Sequence, residues 1–315
     1  MKHITDTNIE QNEPTAVTLG NFDGVHMGHR ELISLTKKFS IKKNLKSVVF
    51  TFYPHPMFIF KNKAHSALIL SPYEKKLVME NMNIDIYIEY PFTTDFAKME
   101  PEDFINDIIF NKLNCRVLIV GENYKFGKKQ SGNYDLLKKL GEDRGIKVIK
   151  VPSVLYNNSK VSSTRIRECI IEKNIDMANI LLTSPYFLIG NVSKGKQLGR
   201  TIGFPTINIF SDKVKLFPPN GVYVTQTLYD NKLYNGVTNI GMNPTVNGKF
   251  RVIETFLFDF NKVIYGEFVK TYFFKWIRDE KKFLNIDDLS KQINKDVYYA
   301  YEYFKSNEFK KWKFL

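Results

Sequence analysis

Two histidines, His26 and His29, stand three residues apart in the segment VTLGNFDGVHMGHREL, residues 17–32. Residues three apart on a helix share a face, so both imidazoles can address one bound group. An apolar run, residues 16–19, reads as a buried strand. Gly20, Gly24 and Gly28 then form a turn, and Leu32, Ile33, Leu35 and Phe39 set the apolar face of a helix. The free N–H groups and positive end of that helix favour an anion. The combination describes a phosphate cradle shaped by Gly20, Phe22 and Gly24 under two imidazole donors. A zinc site would need a third ligand from elsewhere, and Cys115 and Cys169 lack metal-type spacing.

Two further constellations suit phosphates. VSSTRIR, residues 161–167, opens a helix with three hydroxyls. Those hydroxyls can simply cap it. They also suit a triphosphate, since donors and an arginine stabilise charge on departing pyrophosphate. In residues 190–208, Gly195, Gly199 and Gly203 alternate with Lys194, Lys196 and Arg200 and read as a basic flap. Thr206 and Asn208 follow, two apart, and on a strand they would face the same way. Hydroxyl and amide oxygens suit Mg2+, a hard ion that retains several waters.

The elements that must hold these groups fall into two patterns. Strands at 16–19, 47–52, 84–89, 116–120 and 147–151 alternate with helices from Pro72, from Glu100 to about Leu113, and over 135–144. That order implies a parallel sheet covered by helices, with ligands beyond the carboxyl ends of the strands. The Gly20 turn and the Gly121–Gly127 turn fall there. A helical segment covers 163–182. Strands then follow at 187–192, 221–227, 234–240, 253–258 and 269–274, with a last helix from Ile286 to about Lys305. Closely spaced strands without helices between them indicate a small antiparallel barrel. The domains are expected at 1–183 and 184–315.

A chain of 315 residues that is 43% hydrophobic has material for two cores. No apolar run reaches the roughly 18 residues that span a bilayer. The first residues show no signal-peptide pattern. Two cysteines without framework spacing fit a reducing cytosol. The net charge of +13 raises the question of nucleic acid, yet the lysines are dispersed and no nucleic-acid motif accompanies them. A basic surface would still attract anionic small molecules.

GNFDGVHMGH resembles the H-x-G-H signature of nucleotidyltransferases in the form used by flavin adenylyltransferases. The resemblance implies a Rossmann-like α/β nucleotidyltransferase fold, with His26 and His29 on ATP phosphates and attack at the α-phosphorus. SSTRIR resembles the family's S-S-T-x-I-R element and implies phosphate contacts for Ser163, Thr164 and Arg167. Gly121–Gly127 resembles G-x-[D/N]-F-x-F-G, which implies that Asn123 helps place a phosphate. Phe52–Pro56 resembles F-x-P-H-P, with Phe58 and Phe60 beside the flavin ring. Residues 190–208 resemble the riboflavin kinase module, and further matches continue in order through Phe283. There the resemblance implies Gly195, Gly199, Arg200 and Arg278 at ATP and flavin, Thr206 and Asn208 on the metal, and Glu254 as the base. The family often has His or Tyr two residues after this glutamate, whereas Phe256 stands here.

The ordered pair is similar to the prokaryotic bifunctional riboflavin kinase/FAD synthetases. It implies riboflavin, FMN, FAD and ATP as small-molecule ligands, Mg2+ at both sites, and a cytoplasmic setting. Nucleic acid and membrane are not expected as partners, and weak self-association is left open. Two rivals stay in view: a flavin sensor in which one module has lost activity, and a basic nucleic-acid binder on an old nucleotide fold.

Overall fold

In a computed structural model, residues 1–60, 67–195, 199, 202–245 and 248–312 are described. The chain divides into two compact units, Met1–Ser66 with Pro72–Ser162, and Ala67–Ser71 with Ser163–Leu315.

The first unit is built on six strands: β1 (Lys2–Ile4), β2 (Thr15–Leu19), β3 (Lys46–Tyr53), β4 (Ile86–Pro91), β5 (Cys115–Gly121) and β6 (Lys147–Val151). All neighbours are parallel, in the order β1-β4-β3-β2-β5-β6. β2 is buried along its whole length, as a strand covered on both faces must be. From β2 the chain steps outward to β3 and β4, then returns to the other side of β2 to form β5. Strand order therefore reverses between β2 and β5, and the crevice of such a sheet opens beyond their carboxyl ends. Both glycine turns named above end these two strands. β1 was not legible in the sequence pattern.

Helix α1 (Met27–Lys43) follows β2. It buries Leu32, Ile33, Thr36 and Ser40, and stops at Asn44 in the left-handed region (φ 52°). Short α2 (Pro56–Ile59) and α3 (Pro72–Asn81) lead to β4. The helix expected from Glu100 begins as α4 (Pro101–Asp103) and widens into a π-type helix, Phe104–Lys112. The wide turn is visible where Leu113 N donates to Ile108 O at 3.1 Å. Burial of Phe104, Ile105, Ile108, Ile109 and Phe110 accompanies this form. Helix α5 (Tyr134–Glu142) is capped by Asn133, and a hairpin of β7 (Leu155–Tyr156) and β8 (Ser159–Lys160) closes the unit.

The second unit opens with α6 (Ser163–Ile171) and α7 (Ile175–Leu182). The single helical segment expected over 163–182 is thus two helices. Lys173 turns left-handed (φ 64°), and the Asn174 side chain accepts from Met177 N at 3.2 Å, restarting the helix. Six antiparallel strands then close a barrel: β9 (Tyr186–Ser193), β10 (Thr206–Ser211), β11 (Gly221–Tyr229), β12 (Lys232–Thr245), β13 (Gly248–Leu257) and β14 (Phe268–Arg278). Their order is β10-β13-β12-β11-β14-β9. Buried hydroxyls meet across the strands, Thr225–Thr238 and Thr238–Thr255 at 2.8 Å and Thr227–Thr271 at 3.0 Å. Asn179 on α7 donates to Phe273 O at 2.8 Å and accepts from Tyr186 N at 2.7 Å, joining the helix to β14 and β9. The C-terminal helix, Ile286–Lys305, lays Ala300 and Tyr303 on Val222, Val224 and Val237 of the barrel.

Candidate active sites

The turn after β2 is built from residues in costly conformations. Phe22 (φ 49°) and Val25 (φ 43°) lie in the left-handed region although neither is glycine, and both are fully buried. Backbone held this way marks a turn over-determined by its surroundings. Gly24 (φ 85°) shares that region, and a Cβ at Gly20 would press on the Phe22 ring at 3.1 Å. The loop delivers His26 to the N-cap of α1, where its Nδ1 accepts from His29 N at 3.4 Å. With Nδ1 accepting, a neutral ring carries its proton on Nε2. The His26 and His29 rings stack at 3.6 Å, and Phe22 meets His29 edge-on at 5.2 Å.

Both histidines are neutral near pH 7. Burial, aided by the charge of Lys160, pulls His26 down to about 4. Burial first, then His26 and Lys75, hold His29 well below its ordinary value. His29 Nδ1 is buried without a partner among the described residues. Lys75 of α3 is itself buried, with its ammonium 3.6 Å from Glu89 Oε1. Glu89 also takes Tyr87 OH at 2.9 Å and pairs with His3 Nε2 at 3.0 Å. Two neutral stacked imidazoles at the point where strand order reverses can donate to an anion without adding net charge.

The second glycine turn of this unit has Tyr124 and Phe126 stacked at 5.6 Å. A Cβ on Gly127 (φ 70°) would lie 2.7 Å from Pro101, so glycine is required there. Asn123 is exposed beside Glu122, its amide 3.3 Å from Oε1. Phe52 joins an aromatic cluster with Phe92, Phe96 and Phe104, and Phe60 packs on Phe92 at 5.7 Å. Ser163, Thr164 and Arg167 open α6 in the second unit, where Arg167 is buried and donates to Ala67 O at 3.3 Å.

Besides its buried threonines, the barrel carries a row rich in polar groups on its outer face. Cross-strand pairing sets Asn208 opposite Glu254, Glu254 opposite Asn239, Asn239 opposite Val222, and Val222 opposite Arg278. One row thus crosses five strands. Side chains alternate along a strand, so the next outward row holds Thr206, Phe256 and Val237. Apart from Asn208, at the end of the first row, both rows line a pocket that Leu289, Ile293 and Asp296 of the C-terminal helix close. Arg278 grips Asp296 with two nitrogens, Nη2 to Oδ2 at 2.7 Å and Nε to Oδ1 at 2.9 Å, and Gln292 donates to Oδ1 at 2.9 Å. Phe256 meets Phe204 edge-on at 5.4 Å and forms an aromatic wall. A Cβ on Gly195 would overlap the Asn208 amide, so backbone crosses closely over that side chain. The backbone at Gly199 approaches Thr206 Oγ1, 3.5 Å from where a Cβ would stand. Arg200 and Lys196 lie outside the described residues.

Residues 8–165 match the FAD synthetase family and residues 182–304 the riboflavin kinase family. The bifunctional riboflavin kinase/FMN adenylyltransferase of Buchnera aphidicola subsp. Schizaphis graminum is 37% identical over 93% of this chain and 95% of its own length. The chain belongs to the bifunctional riboflavin kinase/FMN adenylyltransferase family. Enzymes of this name from Haemophilus influenzae and Escherichia coli K12 are 37% and 33% identical, covering 92% and 93% of this chain and 94% and 93% of theirs. A Streptococcus pneumoniae crystal structure described as a macrolide-efflux protein superposes with a TM-score of 0.88 at 32% identity, covering 95% of this chain and 99% of that one. Among the described residues no helix is long and apolar enough to cross a membrane. By family, the chain is an enzyme with riboflavin kinase and FMN adenylyltransferase activities.

Asn239 and Asp296 were missed from sequence. Each left a trace. Asn239 is two residues from Val237 on a strand whose alternate residues are buried threonine and isoleucine. Asp296 is a carboxylate within the stripe Leu289–Ile293–Ala300–Tyr303.

Proposed function

We propose that Glu254 removes the proton of the riboflavin 5′-hydroxyl as its oxygen attacks the γ-phosphorus of ATP, forming FMN and ADP. The carrying observation is the row that sets Glu254 between Asn208 and Asn239 on the pocket wall. A general base must face the proton that it takes, and this carboxylate lines the pocket on the barrel face described above. Thr206, on the pocket wall, and Asn208, opposite Glu254 on the same face of β10, offer neutral oxygens that suit Mg2+ arriving with ATP. When bound, Mg2+ would neutralise phosphate charge. Gly195 and Gly199 let backbone approach the phosphates, with Arg200 as a further cation. Arg278, held by Asp296, forms the far wall for the flavin.

In the first module, an FMN phosphate oxygen attacks the α-phosphorus of a second ATP, and the α–β bridge breaks to release pyrophosphate. His26 and His29 donate to phosphate oxygens as charge grows on the leaving group. Their support is the stacked neutral pair, the Nε2 proton on His26 and the unpartnered His29 Nδ1. Gly20, Phe22 and Gly24 shape that loop, and Asn123 is assigned to the neighbouring turn. Ser163, Thr164 and Arg167 complete the phosphate contacts in this reading, and Mg2+ accompanies this ATP too. The functional domains are read as 1–183 and 184–315, and two free buried cysteines agree with a cytoplasmic setting.

The test is Glu254→Gln, assayed for riboflavin to FMN and for FMN to FAD. FMN formation should fall by about 10²–10⁴ while FAD formation from supplied FMN is retained. Kinase turnover near wild type would remove Glu254 from the reaction.

A further inference from the structure

The row across the barrel gives Glu254 two neighbours of one kind. β13 lies between β10 and β12, so Asn208 stands directly opposite Glu254 on one side and Asn239 on the other. Directly opposed side chains on an antiparallel pair have Cβ atoms about 4.5–5.5 Å apart, within reach of one hydrogen bond. The other charged groups that line the pocket are Arg278, Glu280, Lys281 and Asp296. Arg278 is engaged with Asp296, and Glu280 accepts from Asn220 at 3.1 Å. Asn239 also sits beside Glu280. A Cβ at Gly241 would overlap Glu280 Oε1 and lie 3.6 Å from Asn239 Nδ2. Its amide therefore lies near Glu280 on a residue that stands opposite Glu254.

The two asparagines are not equivalent. Asn208 is overlaid by the Gly195 backbone and belongs to the side of the pocket assigned to Mg-ATP. Asn239 stands away from that flap, towards Val222 and Arg278. A carboxamide has two N–H donors on one nitrogen and can serve two acceptors. We infer that Asn239 is a positioning residue for the kinase: its amide donates to Glu254, fixes the carboxylate plane, and leaves the second oxygen facing the riboflavin hydroxyl. Its other N–H is directed at Glu280 and keeps the two carboxylates apart. A base loosened in its pocket loses turnover rather than affinity, because only the reacting geometry depends on it. This inference rests on the reading of Glu254 as the base.

The test uses the full chain with Asn239→Ala, Asn239→Ser and Asn239→Asp beside Glu254→Gln. Each is assayed with riboflavin and Mg-ATP across pH 5–9, and with supplied FMN as a folding control. Asn239→Ala should lower kinase kcat by about tenfold or more with little change in KM for riboflavin. Asn239→Ser, which keeps one donor, should recover part of the loss. Asn239→Asp places a like charge beside Glu254, and the acid limb of the kcat profile should move up by about one to two pH units. FAD formation should stay at wild type in all three. Unmoved pH profiles and wild-type kcat, with Glu254→Gln inactive, would overturn the role of Asn239 and leave the base standing. A Glu254→Gln enzyme that turns over normally would overturn the base and this inference with it.

Discussion

At the scale of single residues, the two histidines do different work from one ring position. His26 is an N-cap and, in the proposed reading, also a donor, while His29 has a buried nitrogen without a partner among the described residues. Replacement of His29 by Ala should cut FAD formation by about 10²–10³ and leave FMN formation intact, because one preorganised donor to the transition state is lost. Parallel assays on one preparation check this, and an equal loss of kinase activity would refute a separate site. The neutral state of His26 has its own signature. Its value is about 4 when folded and about 6.5 when unfolded. The unfolded chain binds the proton more readily, so this stability is complete above pH 6.5 and is lost as pH falls toward 4. Between pH 7.5 and 5, wild type should lose about 2 kcal/mol more than His26→Asn, which keeps a cap. Urea unfolding at the two pH values measures the difference. Equal losses would mean that the ring is freely protonated in the folded protein.

At the scale of elements, the legible parts were those with a strong local pattern. Buried parallel strands such as β2 and β5 read as apolar runs, and the C-terminal helix showed its stripe with both ends correct. β1 has three residues, too few to display a period. β10 was not among the expected strands, although Thr206 and Asn208 would face the same way on one. The break at Lys173–Asn174 depends on a left-handed residue that lysine seldom signals. Pairing register was the largest loss, because no local pattern states that Glu254 faces Asn239 rather than a residue one step away. Close approach was half visible: the glycine at 195 was evident, while the side chain beneath it was not. Gly195→Ala should push the Asn208 amide aside and lower kinase kcat/KM for ATP by between about tenfold and a hundredfold. Since the displaced atoms end a movable side chain, thermal stability should change little. A variant with normal ATP kinetics would show that the flap backbone does not bear on Asn208.

At the scale of the whole molecule, the second compact unit holds more than the barrel. Helix α7 buries Ile175, Ala178, Leu181 and Leu182, and Asp176 pairs with Lys275 of β14 at 3.0 Å. Residues 67–71 join the same unit through Leu68 N to Val214 O and Leu216 N to Leu68 O, both 2.7 Å. The buried Lys215 ammonium donates to Ile69 O at 2.6 Å. A fragment 163–315 should make FMN and melt several degrees above fragment 184–315, which leaves the acceptor and donor of Asn179 unmet on β14 and β9. Calorimetry and riboflavin assays on both fragments decide this. Equal melting points would assign α7 no part in holding the barrel.

The buried hydroxyl chain across the barrel strands has a consequence for how this enzyme can change over generations. Thr238 and Thr255 face inward, while Asn239 and Glu254, their immediate neighbours, face outward. Along β12 and β13 heredity therefore keeps two ledgers in alternate letters. Inward substitutions are judged by whether the barrel survives, outward polar ones such as those at Asn239 and Glu254 by turnover, and outward Val237 by its packing under the C-terminal helix. A library of single substitutions sorted first for abundance and then for turnover would separate odd from even positions. The outer polar letters can drift toward new chemistry while the inner ones, and the apolar outer ones under the C-terminal helix, keep the fold.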